Sequence, residues 1–303
     1  MSELGDKVKA SLERIKAFQP KNGEGYYLAF SGGKDSVVCK HLLEMAGVKY
    51  DAHYNNTGID PPELVRFIIE KHPDVIREFQ TYPEYYKNPA LSGKRVTMFN
   101  LIPEKLMPPT RIVRYCCSEL KEAGGDGRKV ITGVRWAESN NRKNNQGAVT
   151  VLNKKLAKEL IGDSNFYRTD RGGVVLVNDN EDSRRAVESC YKRSKTLVNP
   201  IIEWTDKDVW DFIKSENIPF CELYGEFRRL GCICCPMAGK HDKEKELLKW
   251  PGYKQLYQKA FEKMLEKRAE RGLETRWQTP TDVFNWWLNY DIIPGQIEME
   301  GLD

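Results

Sequence analysis

Two groups of residues in this chain define a chemistry by their types and spacing. The first is the run Ser31-Gly32-Gly33-Lys34-Asp35-Ser36, which follows the apolar stretch Tyr26 to Phe30 and precedes Val37, Val38, Leu42 and Met45. A strand that turns through two glycines into a helix leaves N–H groups unpaired at the helix N-terminus, which makes a cradle for an anion. Glycines remove the Cβ atoms that would hold the backbone off a phosphate, and Lys34 adds a mobile positive charge. Positions 38, 42 and 45 share one helical face, as the element after such a loop requires. This loop predicts phosphate binding.

The second group is drawn from eight cysteines. Cys116 and Cys117 are adjacent, while Cys232 and Cys235 stand two residues apart far along the chain, so only folding can unite the pairs. Four thiolates suit either a tetrahedral zinc or an iron–sulfur cluster. Adjacent cysteines project in different directions, so placing both on one zinc strains the backbone, whereas the wider corners of a cubane accept them more easily. Gly231 and Pro236 bracket the second pair and shape a turn there. Cys234 is an extra thiol inside that pair, open to roles as a spare thiol, a sulfur acceptor or a buried side chain. Cys39, Cys190 and Cys221 are singletons, expected as small buried groups.

The surrounding elements must position both groups. Val8, Leu12, Ile15 and Phe18 predict an opening helix that ends before Pro20, and Gly47 is placed to cap the helix after the phosphate loop. Tyr50, Ala52 and Tyr54 alternate as a strand, and Pro61 and Pro62 open a helix whose buried face is expected to be Leu64, Val65, Ile68 and Ile69. Val75 to Phe79 and Lys129 to Gly133 are further strands. Strands alternating with helices argue for an α/β fold with a parallel sheet flanked by helices, in which ligands sit at the carboxyl ends of strands. Ser31 to Ser36, Asn55 to Asp60 and Gly133 to Arg142 lie at such ends.

Residues 140–195 are polar and rich in Gly, Asn and Arg, with one strand expected at Val174 to Val177; the stretch is taken as an insertion or lid. Thr205 with Asp208 forms a cap for a helix carrying Val209, Trp210 and Ile213. A long charged helix is expected from His241 to Gly272. Leu247, Leu248, Tyr257, Phe261 and Leu265 form its packing stripe, and its charge run forms a solvated face. Trp250, Trp277, Trp286 and Trp287 in this extension are favoured as added core over a docking face for a partner. The domain division expected is 1–240 for the α/β body and 241–303 for a helical C-terminal extension.

Composition bounds the rest. Forty per cent apolar residues in 303 is enough for a sizeable core, and a net charge of +4 permits an acidic partner such as a nucleotide or DNA without indicating one. No apolar run approaches a membrane span and Met1 to Lys9 lacks a signal-peptide core, so a cytoplasmic protein is expected. In that compartment cysteines point to metal binding or catalysis before disulfides.

The loop is not a Walker A sequence, because its glycines are spaced differently before Lys34. It resembles the signature of the PP-loop superfamily, whose members bind ATP or an adenylyl nucleotide by its phosphates with an adenine nucleotide alpha hydrolase-like fold. Taken with Cys116-Cys117 and the Gly231-Cys232…Cys235-Pro236 segment, it resembles the adenylyl-sulfate (APS)/phosphoadenylyl-sulfate (PAPS) reductase family, in its iron–sulfur branch. Asn56-Thr57-Gly58-Ile59-Asp60-Pro61-Pro62-Glu63, Gly133-Val134-Arg135-Trp136-Ala137-Glu138-Ser139 with Arg142, Asn199-Pro200-Ile201, Trp204-Thr205 with Asp208-Val209-Trp210, Ile218-Pro219 and Leu223-Tyr224 agree in order. The resemblance covers about residues 25 to 240 apart from the polar stretch.

That resemblance implies a [4Fe–4S] cluster on Cys116, Cys117, Cys232 and Cys235, with zinc as the alternative metal. It implies a nucleotide, ATP or APS/PAPS, held by Ser31, Gly32, Gly33, Lys34, Asp35 and Ser36 and bordered by Thr57 and Gly58. Arg135 and Arg142 are candidates for its phosphate or sulfate, since guanidinium forks match those oxygens. Lys34, Asp35 and Arg135 are the candidate catalytic residues, with Mg²⁺ expected on the phosphates and Asp35 helping to place it.

In such reductases the nucleophilic thiolate lies beyond the CxxC, whereas no cysteine follows Cys235 here. With a phosphate loop and cysteine pairs remaining, the chain is also similar to the iron–sulfur ATP pyrophosphatase of DNA phosphorothioation systems. The expected activity is therefore ATP cleavage to AMP and pyrophosphate for sulfur activation or transfer. APS/PAPS reduction to sulfite is the alternative, and a non-catalytic, zinc-stabilised nucleotide-binding module the second alternative. Expected partners are the nucleotide, a sulfur-donor or redox protein, and a nucleic-acid substrate; a homo-oligomer is allowed.

Overall fold

A computed structural model of the chain describes residues 3–21, 23–121, 124–152, 166–168, 174–176 and 195–289. The chain divides into two compact units built from interleaved segments. Met1–Tyr54, Pro62–Glu78 and Gly124–Leu230 form the first, and Asn55–Pro61, Phe79–Ala123 and Gly231–Asp303 the second. Segments on both sides of residue 240 thus contribute to the second unit.

The first unit holds a sheet with strands β1 (Tyr26–Ala29), β2 (Tyr50–Asn55), β3 (Ile76–Glu78), β4 (Lys129–Ile131), β5 (Val149–Leu152), β6 (Phe166–Arg168), β7 (Val174–Leu176) and β8 (Lys195–Val198). Their order is β3-β2-β1-β4-β8-β5-β7-β6. Pairings β2-β1, β1-β4 and β4-β8 are parallel, whereas β8-β5, β5-β7 and β7-β6 are antiparallel. Parallel strands are covered on both faces, which accounts for the unbroken burial of Tyr26, Tyr27 and Leu28 in β1. The stretch 140–195, expected as an insertion or lid, supplies β5, β6 and β7 to this sheet, with Val149, Thr150 and Val175 buried in it. Residues 140–148 and 195 are also described, whereas the remainder of that stretch, including Val177 and Cys190, lies outside the described residues.

Helices α1 (Glu3–Ala17), α2 (Lys34–Ala46), α3 (Pro62–Lys71), α6 (Asn140–Asn145) and α7 (Asp206–Ser215) belong to this unit, and α2 packs against both α1 and α7. Gly47 caps α2 in the left-handed conformation, φ 65°. Two expected faces are corrected. Met45 is exposed, because the buried row of α2 runs through Val38, Leu42 and Ala46 with Leu43 beside it, a four-residue step. On α3 the core face is Leu64, Phe67 and Ile68, and Ile69 points outward for the same reason. The strand expected at Val75 to Phe79 shortens to Ile76–Glu78, leaving Phe79 exposed.

The second unit is helical: α4 (Met98–Lys105), α5 (Tyr115–Leu120), α8 (Lys240–Lys249), α9 (Gly252–Glu270) and α10 (Pro280–Asn289). The single helix expected over 241–272 is two, broken at Trp250-Pro251, where proline offers no N–H to continue the ladder. Tyr257 and Phe261 are fully buried, Leu247 and Leu265 pack at the edge, and Leu248 is 84% exposed on α8. Trp287 lies in the core and donates its indole N–H to the Pro109 carbonyl at 2.7 Å, with Trp250, Trp277 and Trp286 packed around that core. The tryptophans are added core, as expected. Among the described residues no helix is long and apolar enough to cross a membrane.

Candidate functional site

The phosphate loop leaves β1 at Phe30 and enters α2 at Lys34. Gly32 adopts φ +72°, and a Cβ there would meet the Ile68 side chain at 2.8 Å and Leu64 at 3.0 Å, so α3 closes on the loop only because the residue is glycine. Gly33 is the N-cap of α2 in extended conformation and has no side chain of its own to cap the helix. The hydroxyl of Ser36 donates to the Gly33 carbonyl at 2.8 Å and accepts the Ser31 N–H at 3.2 Å, which braces the loop from within. The Lys34 N–H, first amide of the helix, donates to the Tyr224 hydroxyl oxygen at 2.8 Å.

Two cations and two carboxylates converge on this N-terminus. Arg135, almost wholly buried, places Nε 2.7 Å from Asp35 Oδ1 and Nη2 2.6 Å from Asp206 Oδ1, and donates from Nη1 to the Trp204 carbonyl at 3.3 Å. Lys34, also buried, reaches Asp35 Oδ2 at 3.2 Å and Asp206 Oδ1 at 3.3 Å. Burial alone would raise the Asp206 carboxyl, but Arg135 and then Lys34 outweigh it and hold the group below the usual carboxylate range. Burial opposes the charge on Arg135, and Asp35 followed by Asp206 more than restores it. Each cation is thus held by both carboxylates, Arg135 through separate nitrogens of its guanidinium and Lys34 through its ammonium.

Gly133 makes this convergence sterically feasible: a Cβ there would stand 2.9 Å from the Asp35 Cβ and 3.0 Å from its backbone carbon. Arg142, expected on a phosphate or sulfate, instead pairs with Glu138, whose Oε2 also accepts the Arg135 backbone N–H at 3.1 Å. Lys34, Asp35 and Arg135 are therefore brought together, and Arg142 joins them only through Glu138. Sequence reasoning missed Asp206 and the contact of Tyr224. Asp206 stands between Thr205 and Asp208, whose capping box explains the segment without it, and Tyr224 entered only as part of the Leu223-Tyr224 segment, with no role attached.

Cys116, Cys117, Cys232, Cys234 and Cys235 lie in the second unit. Cys116 and Cys117 open α5, and Cys232 and Cys235 flank a turn in which the Cys235 N–H donates to the Cys232 carbonyl at 3.1 Å. Cys116, Cys232 and Cys234 belong to one buried cluster, with Cys117 and Cys235 packed against it. Cys116 is raised above its ordinary range by its hydrogen bond to Cys117, then by burial and the neighbouring Cys232 and Cys235 sulfurs. Burial pushes Cys232 up to about 11, against the pull of the Lys121 ammonium. Cys234 sits at φ 56°, its N–H donating to Glu246 Oε2 at 2.6 Å, and burial followed by the Glu246 charge raises its thiol. Thr57 and Gly58, expected beside the nucleotide, lie in this unit. The Thr57 hydroxyl shares a 3.6 Å hydrogen bond with Cys232 Sγ and donates to Asp60 Oδ2 at 2.8 Å.

The fold therefore unites four thiols from two distant segments in one core. Among the described residues, no three or more His, Cys, Asp or Glu side chains stand together in an arrangement for one metal ion. The donor set is all sulfur, with the Lys121 ammonium and the Thr57 hydroxyl beside Cys232, a set whose chemistry suits an iron–sulfur cluster or a zinc ion.

The phosphoadenosine phosphosulfate reductase domain matches residues 25–238 of the chain. An uncharacterized protein of Methanocaldococcus jannaschii is 35% identical over 242 residues, 76% of this chain and 46% of that protein; a second is 24% identical over 273 residues, 87% and 45%. Adenosine 5'-phosphosulfate reductase of Oceanobacillus iheyensis is 36% identical over 63 residues, 20% of this chain and 26% of the enzyme. The chain spans less than half the length of each of these relatives. Among solved structures, Candida glabrata FMN adenylyltransferase aligns with a TM-score of 0.42 at 15% identity over 76% of this chain and 64% of that one, a likeness too distant to carry weight.

Proposed function

The chain belongs to the phosphoadenosine phosphosulfate reductase family, and within it we propose an enzyme that binds ATP by its phosphates and cleaves it to AMP and pyrophosphate, for sulfur activation or transfer. The observation that carries this reading is the array at the N-terminus of α2 in which buried Lys34 and Arg135 meet the partly exposed carboxylates of Asp35 and Asp206. Arriving phosphates compete with the two carboxylates for Lys34 and Arg135. Charge that develops on the departing pyrophosphate then meets two fixed cations and the end of a helix dipole in a partly desolvated setting, which is electrostatic catalysis. Asp35 is the loop's carboxylate for a Mg²⁺ that accompanies the phosphates.

Cys116, Cys117, Cys232 and Cys235 are proposed to hold a [4Fe–4S] cluster, which when bound supplies a one-electron redox centre. Lys121 acts here on Cys232, by a positive charge that favours its thiolate. Anaerobically purified protein should contain iron and acid-labile sulfide and release AMP and pyrophosphate from Mg·ATP. Lys34→Ala should abolish turnover and keep the iron, whereas Cys116→Ser should lose the iron. Release of ADP and phosphate alone would reject the pyrophosphatase reading.

A second reading, APS or PAPS reduction to sulfite, is favoured by the match to the Oceanobacillus iheyensis reductase. Sulfite released from either substrate with thioredoxin or glutathione would support it, and its absence from both would remove it.

A further inference from the structure

We infer that Tyr224 is a phosphate-binding residue of the cradle, its hydroxyl donating to a phosphoryl oxygen of the bound nucleotide. This rests on the proposed nucleotide reading of the Ser31–Ser36 loop and adds to it a group from the other end of the first unit's sequence.

The hydroxyl oxygen of Tyr224 accepts the Lys34 N–H at 2.8 Å, and a Cβ on Gly33 would stand 3.4 Å from the same oxygen. It therefore occupies the place where the first amide of α2 would otherwise meet an anion. A tyrosine hydroxyl has one hydrogen to give besides the lone pairs it offers. Among the described residues that hydrogen has no acceptor, while the oxygen is already engaged.

The ring is not free to swing aside. Trp210 packs edge-on against it at 5.1 Å and 86°, and Phe220 packs edge-on against Trp210 at 5.2 Å. The backbone is tied as well, the Tyr224 N–H donating to the Cys221 carbonyl at 3.1 Å. A fixed hydroxyl polarised by an amide at a helix N-terminus is a stronger donor than an isolated one, and it passes the pull of the helix end on to whatever accepts its hydrogen. Burial raises the hydroxyl above its ordinary range, ahead of the effects of Asp35 and Asp206, so it keeps that hydrogen at neutral pH. Lys34 and Arg135 favour an anionic acceptor beside it, and the phosphates are the ligand groups that fit. The opposite role, a plug that the phosphate expels, requires the ring to leave Trp210.

The test is calorimetric titration of the full chain with ATP and, separately, with inorganic pyrophosphate, for wild type and Tyr224→Phe, which keeps the ring and removes only the hydroxyl. A donor to a charged oxygen predicts about a 10- to 100-fold loss of affinity for both ligands. The thermal midpoint without ligand should fall only by the small cost of the one hydrogen bond lost to the Lys34 N–H, whereas a purely structural role for the hydroxyl would lower the midpoint and leave both affinities unchanged. Equal or tighter binding by Tyr224→Phe, the signature of a removed plug, overturns the inference and leaves the nucleotide reading standing. A wild type that takes up neither ligand overturns both.

Discussion

Gly133 has no side chain because Asp35 leaves no room for one. An added Cβ would come within 2.9–3.1 Å of the Cβ, backbone carbon and carbonyl oxygen of Asp35, atoms fixed in the first turn of α2. Backbone cannot step aside as a flexible side chain does, so Gly133→Ala must push the β4 end and α2 apart. That movement separates Arg135 from Asp35, which are now 2.7 Å apart. Overpacking of this kind costs about 1–3 kcal/mol. Gly133→Ala is therefore expected to lower the urea midpoint and weaken ATP binding together. A variant with wild-type stability and wild-type affinity would show that the approach is not as close as described.

At the scale of elements, α7 carries Asp206 as its first residue, and its capping box fixes where that residue stands. The Thr205 hydroxyl accepts the Asp208 N–H at 3.2 Å, and Asp208 Oδ2 accepts the Thr205 N–H at 2.7 Å. Thr205→Ala frays the first turn at a cost of about 1 kcal/mol, and Thr205→Ser should recover it. Because Asp206 rides on that turn, the alanine variant should also loosen its ion pairs with Lys34 and Arg135 and alter ATP affinity, read by titration beside urea unfolding. Stability lost with affinity untouched would separate the cap from the site.

The same elements show what was legible beforehand. The β1–loop–α2 unit, the Gly47 cap and the Thr205 box were visible because each is a local pattern a few residues long. The cation–carboxylate array was half visible. Lys34, Asp35 and Arg135 sat in suggestive segments, whereas Asp206 and Tyr224 reach Lys34 from 172 and 190 residues away and leave no periodic trace. Leu248 misled because an apolar residue on a charged helix looks like part of a packing stripe until its rotation is known. Strands β5 to β7 were largely hidden by polar neighbours in their segment.

At the scale of the molecule, interleaved segments make the stability of each unit depend on groups that sequence proximity does not connect, and His72 shows how that stability should respond to acid. It follows α3 in the first unit, 6% exposed, edge-on to Phe30 at 4.9 Å and to Phe67 at 5.2 Å, and its Nε2 has no hydrogen-bond partner. Burial, helped by the Lys40 charge and opposed by Asp74 and Glu44, lowers its pKa from 6.5 to about 4. The folded chain therefore holds this ring neutral where the unfolded chain binds a proton. The stabilisation is complete above pH 6.5 and drains away as pH falls toward 4, by up to about 3 kcal/mol. Urea midpoints of the wild type should accordingly fall between pH 7.5 and pH 5 more steeply than those of His72→Phe, whose ring keeps the aromatic packing and cannot titrate. The comparison rests on slopes, so any constant cost of fitting phenylalanine drops out. Parallel slopes for the two proteins would mean that His72 charges in the fold as readily as it does in water, and that acid weakens the first unit through other groups.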